Sequence, residues 1–153
     1  MKMEMTVLNF KWHVSMLSKA FDIAVIYDPR LNRDVAAAVL LNEERFTLIH
    51  KAMGLQRRAV CVPPIDDVTS YTVVMHEMGH HLAPNGFCMM PQPAPGSHPR
   101  VTFEWLAAKL VAEEAAWEWA RYYIEQVFDW TTAMEQTKQY SLQTYVDGRR
   151  RGR

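Results

Sequence analysis

The chain has 153 residues, 49% of them hydrophobic and 22% charged, a size that suits one domain with a core of its own. Lys plus Arg and Asp plus Glu both number 17, so the formal net charge is zero, which argues against a broad nucleic-acid footprint. Two cysteines exclude a disulfide scaffold, and no apolar stretch reaches the ~18 residues of a membrane span.

The charge is unevenly spread. Arg149, Arg150, Arg151 and Arg153 crowd the end, and residues 1–148 hold thirteen basic side chains against seventeen acidic ones. Segment 149–153 is expected to be a basic disordered tail behind one domain over 1–148, because Gly and Arg offer nothing to bury. Glu4, Lys11 and Lys19 interrupt the place where a secretory signal needs an apolar core. The expected location is therefore the cytoplasm.

Leu8, Trp12, Met16 and Ala20 recur at helical spacing and predict an amphipathic helix over 6–20. Residues 21–27 are apolar and end at Asp28-Pro29, a short buried strand. Runs 35–41 and 45–50 flank Asn42-Glu43-Glu44, a plausible hairpin. Residues 59–62 form one more strand, closed by Pro63-Pro64. Asp66 or Asp67 can cap a helix running to about Leu82, which Pro84-Asn85-Gly86 stops. Five of the eight prolines fall in 84–99, a long loop. Thr102 is a reasonable N-cap for a long helix whose stripe is Phe103, Leu106, Leu110, Trp117, Ile124 and Phe128. A break near 129–132 precedes a more polar helix over 132–145.

The strongest chemical signal is His76-Glu77-Met78-Gly79-His80, of the form HExxH. On a helix, His76 and His80 project from one face and can hold one metal ion, with Zn²⁺ suited to imidazole. Glu77 stands about 100° around from His76, at the edge of that face. From there a carboxylate reaches a water on the metal rather than the metal, the position of a general base. Gly79 lets another backbone approach closely. His81 is expected beside the site or exposed.

Two protein ligands are too few for catalytic zinc, which takes three. Glu113 and Glu114 on the next helix are the source of the third. With Leu110 at zero, Glu113 falls at about −60° and the apolar Trp117 at about −20°, whereas Glu114 falls at about +40°. Glu113 is slightly preferred, and Glu114 is left as a neighbour of the site. His98, in the proline-rich loop, can swing over the site and donate to an oxyanion, as can Tyr71, Tyr122 or Tyr123. Of the tryptophans, Trp117 is expected in the core, with Trp105 and Trp119 partly covering the surface. His13 has no partner visible in the sequence.

Two segments resemble the ImmA/IrrE family of zinc metallopeptidase-like proteins, in particular short versions from phages and prophages. One is Tyr71-Thr72-Val73-Val74-Met75-His76-Glu77-Met78-Gly79-His80, preceded by a strand. The other is Glu113-Glu114-Ala115-Ala116-Trp117-Glu118-Trp119-Ala120, similar to the family's second signature when Ala116, Trp119 and Ala120 are aligned on it. That alignment makes Glu113 the third ligand. Trp117 departs from the commoner Asn or Asp. The resemblance spans roughly residues 20–125.

The resemblance implies an α+β fold with a zincin-like core: a small sheet of three or four strands on the HExxH helix, and a second long helix completing the metal site. It implies a zinc metallopeptidase acting on a protein or peptide, such as a helix-turn-helix repressor of a phage or mobile element, in a bacterial host cell. Glu77 would be catalytic, and His76, His80 and Glu113 would bind Zn²⁺. The alternative is a non-catalytic zinc-containing module that sequesters a regulatory partner. No membrane or nucleic-acid partner is expected, and no pattern speaks to oligomeric state.

Overall fold

The computed structural model describes residues 1–31, 37–40 and 58–147, the side chains of 37–40 excepted. Helix α1 is Val7–Phe21, followed by strands β1 (Ala24–Tyr27), β2 (Ala37–Leu40) and β3 (Arg58–Val62). Helices α2 (Val68–Leu82), α3 (Pro99–Glu125) and α4 (Thr132–Val146) complete the described elements. The class is α+β. The expected turn at 42–44, the second run of that hairpin and the 149–153 tail lie outside the described residues.

Strand β3 is central, in the order β1-β3-β2. It pairs parallel with β1, Val25 opposite Val60, and antiparallel with β2, Ala38 opposite Val60. Ala59, Val60 and Val62 of β3 are buried, as a middle strand requires. The first strand is less buried than its apolar run suggests. Ala24 is inside, but Ile26 and Tyr27 are exposed, because β1 is an edge among the described strands.

Helix α2 occupies the middle. Asp67 accepts from the Ser70 backbone N–H at 2.7 Å, and Ser70 Oγ lies 3.1 Å from the Asp67 N–H, a reciprocal cap. Every residue from Ser70 to Gly79 is buried. A helix covered all round has neighbours all round. Here these are β2 and β3, α1, α4 and, most extensively, α3. The core gathers Phe10, Val14, Ile23, Val60, Tyr71, Met75, Met78, Ile124 and Phe128.

Helix α1 turns a different face inward from the one its spacing suggests, while α3 keeps Trp117 and Ile124 of its expected stripe inside and departs from it at Phe103. On α1 the buried residues are Phe10, His13, Val14 and Leu17, whereas Leu8, Trp12 and Met16 are exposed. The helix carries two apolar rows, and the row that meets α2 and the core wins. On α3 Phe103 is exposed, while Trp105, Ala112, Glu113, Ala116, Trp117, Trp119, Ala120 and Ile124 are buried. Trp105 and Trp119 are thus core residues, not partial surface covers. Helix α3 also starts before Thr102. Pro99 takes the first helical position, where its fixed φ and missing N–H cost nothing, and His98 Nδ1 accepts from the Arg100 N–H at 3.1 Å. Thr131 caps α4, close to the expected start. Among the described residues no helix is long and apolar enough to cross a membrane.

Candidate metal centre

The site forms where α2 crosses α3. The crossing is close because Gly79 has no side chain: a Cβ there would overlap the carbonyl oxygen of Ala116. Close approach lets Glu113, on the turn before Ala116, reach across to α2. Its Oε2 lies 2.8 Å from His76 Nε2, and its Oε1 lies 3.3 Å from His80 Nε2. The two imidazoles stand with centroids 4.6 Å apart. One donor atom from each of His76, His80 and Glu113 falls within 4.8 Å of the others, so the group can hold a metal ion.

The residues fit a cation by chemistry and by spacing. Two imidazole nitrogens and a carboxylate are a His₂Glu set, one of the donor sets of catalytic zinc. Metal–ligand bonds of about 2.0–2.1 Å place tetrahedral ligand atoms about 3.3 Å apart. The two carboxylate oxygens of Glu113 stand 2.8 and 3.3 Å from the two imidazole nitrogens, and one donor atom from each residue lies within 4.8 Å of the others.

The electrostatics agree. Burial disfavours the imidazolium of His76, but the Glu113 carboxylate outweighs it, with Glu77 helping, and His76 is raised to about 9. For Glu113, burial favours the neutral acid, yet His76 and His80 hold its carboxyl well below the usual range. A cation held there would take the place of the proton between His76 Nε2 and Glu113.

Each histidine is held by something else as well. His80 Nδ1–H donates to the Gly86 carbonyl at 2.7 Å, which leaves Nε2 as the donor atom facing Glu113. Gly86 can fold back on the end of α2 because a Cβ there would overlap the carbonyl oxygens of Gly79 and His80. The Pro84-Asn85-Gly86 turn therefore orients the His80 ring as well as ending a helix. His76 is stacked on Trp117, with ring centroids 4.1 Å apart and planes at 9°. Glu77 is buried, its Oε1 3.4 Å from His76 Nδ1.

The other expected site residues lie apart from this group. His81 Nε2–H donates to the Ala59 carbonyl at 2.7 Å and ties α2 to β3. Glu114 is exposed and lines a groove with Pro84, Leu110, Glu118 and Leu142. His98 is exposed, with its Nδ1 engaged in capping α3. Tyr71 is fully buried against His13, its hydroxyl 2.7 Å from His13 Nδ1, and so is excluded as an oxyanion donor. Tyr122 is exposed and Tyr123 packs on Trp119. Sequence reasoning missed the Gly86 carbonyl and the Trp117 stack. A glycine four residues past the HExxH helix hinted at the first, and Trp117 four residues after Glu113 at the second.

In comparisons with known proteins, no family model, no curated protein and no solved structure matches the chain.

Proposed function

We propose that the protein is a zinc-dependent metalloendopeptidase with a zincin-like core, of the kind its HExxH and Glu113 segments resemble. One observation carries the reading: His76, His80 and Glu113, from two helices, converge within 4.8 Å beside a buried Glu77. Bound there, Zn²⁺ supplies Lewis-acid polarisation of a peptide carbonyl and lowers the pKa of a water. His76, His80 and Glu113 hold the ion, and Gly86 keeps the His80 ring turned toward it. Glu77 accepts a proton from the attacking water, whose oxygen bonds to the carbonyl carbon. Glu77 then delivers that proton to the amide nitrogen as the C–N bond breaks. The substrate class is a protein or peptide, and the family resemblance points to a helix-turn-helix repressor in a bacterial cytoplasm.

Metal content by elemental mass spectrometry, with Glu77→Gln beside the wild type, tests the reading. One zinc per chain in both proteins, with repressor cleavage seen by mass only in the wild type, supports it. Cleavage by Glu77→Gln at the wild-type rate, or no metal after zinc is added, sinks it.

Enclosure favours a second reading. His76 and Glu113 are both almost fully buried, and the His80 side chain is only 14% exposed. A closed site suits structural zinc in a module that binds a regulatory partner without cutting it. An intact repressor recovered in a stable complex with the zinc-loaded protein would favour that alternative.

A further inference from the structure

The indole of Trp117 lies nearly parallel to the imidazole of His76, and both side chains are buried. Glu113 and Trp117 are four residues apart, so one face of α3 presents a carboxylate to the edge of His76 and an aromatic ring to its face. Trp117 Nε1 has no hydrogen-bond partner among the described residues. A buried indole N–H normally finds one. Packing, not hydrogen bonding, therefore fixes the position of this ring.

His76 also lacks the anchor that His80 has. His80 Nδ1 makes a 2.7 Å bond to a backbone carbonyl. The carboxylate beside His76 Nδ1, that of Glu77, stands at 3.4 Å, beyond the usual N–H···O range. Yet a metal-ligating imidazole needs its plane set by something other than the metal.

We propose that Trp117 is a positioning residue of the metal centre: its stacked face sets the plane of the His76 imidazole, as the Gly86 carbonyl does for His80. The proposal rests on reading the His76–His80–Glu113 group as a cation site. The indole face is electron-rich and prefers an electron-poor partner. Coordination draws electron density out of an imidazole, so the stack and the cation reinforce each other.

The test uses the full chain, with Co²⁺ and Zn²⁺ as probes in competition with a chelator. Trp117→Phe keeps an aromatic face and removes the orphan N–H. Trp117→Leu removes the face. Trp119→Leu is the control, because that buried ring packs on Tyr123 rather than on a ligand. The expected result is Trp117→Phe within about threefold of wild-type affinity and Trp117→Leu weaker by about tenfold or more. The Co²⁺ visible spectrum should change in Trp117→Leu and stay unchanged in Trp119→Leu. Wild-type affinity and spectrum in Trp117→Leu, or equal losses in the control, would overturn the proposal.

If Trp117→Leu does not fold, tryptophan emission decides. Zn²⁺ should change the emission of the wild type and not of Trp117→Phe, and equal changes in both would overturn the stack's link to the metal. A wild type that binds neither Co²⁺ nor Zn²⁺ sinks the metal-centre reading itself, a result distinct from either of these.

Discussion

His13 and His76 lie equally deep in this molecule, at 1% and 3% exposure, and they carry opposite electrostatic histories. His13 faces the hydroxyl of Tyr71 and the edge of the Phe128 ring. Burial lowers it to about 4, and burial likewise pushes the Tyr71 hydroxyl up. His76 suffers the same desolvation, but the Glu113 and Glu77 carboxylates reverse it and raise it to about 9. A dry pocket by itself strips charge from a histidine. An apposed carboxylate turns the same pocket into a place for a cation, whether proton or metal.

The largest expected effect is the one that makes His76 resemble His13. Glu113→Gln should drop the His76 pKa below 6.5, abolish zinc binding and cost about 3–4 kcal/mol of stability in the metal-free protein at neutral pH. The figure sits toward the low end for a broken buried pair because His76 can release its proton instead of staying charged. Histidine NMR titration and denaturant unfolding read both effects. A His76 that still titrates near 9 in the variant would remove Glu113 as the cause.

Next comes the opposite pH dependence of the two residues. The folded pKa of His13 lies below its unfolded value, so the unfolded chain binds the extra proton. Stability from neutral His13 is complete above about 6.5 and is lost toward pH 4, on the order of 3 kcal/mol. The folded pKa of His76 is raised, so in metal-free protein its contribution is complete below about 6.5 and fades as pH rises through about 9. His13→Phe should flatten the acid limb of the stability curve and leave the alkaline limb alone. An unchanged acid limb would assign that loss to other groups.

Gly79→Ala asks whether the close crossing of helices creates the contrast. Alanine gains about 1 kcal/mol of helix propensity over glycine. Its Cβ would meet the Ala116 carbonyl oxygen, a backbone atom that cannot rotate away. Overpacking wins, for a net loss of about 1–2 kcal/mol and weaker zinc binding as Glu113 backs off. Calorimetry and a zinc titration would show it, and a variant with better stability and intact binding would contradict it. The smallest effect belongs to Glu114→Gln, which should change stability by less than about 0.5 kcal/mol and leave zinc affinity intact, because Glu114 is exposed. A loss of zinc there would reverse the choice between the two glutamates.

What was legible in advance was what is local. Residues four apart on a helix share a face whatever surrounds them, so His76 and His80 could be paired before any contact was known. Asp67 capping α2 and Pro84-Asn85-Gly86 ending it are also short-range chemistry. Where an element offers two apolar faces, the sequence cannot choose between them. Leu8, Trp12 and Met16 make as good a row as Phe10, Val14 and Leu17, and only the partners of α1 select the second. The same holds along α3 for Phe103 against Trp105.

Glu113, the candidate third ligand, stands between these cases. Helical angles lean toward Glu113, but the lean becomes a contact only because Gly79 lets α3 settle against α2. The motif and its pairing on one helix follow from the sequence alone, since a 3.6-residue turn places them. The carboxylate facing that motif and the indole over His76 come from a distant stretch of chain, whereas the Gly86 carbonyl behind His80 is only six residues away. Tertiary structure decided the first two, because the distance between such stretches is set by packing and not by spacing along the chain.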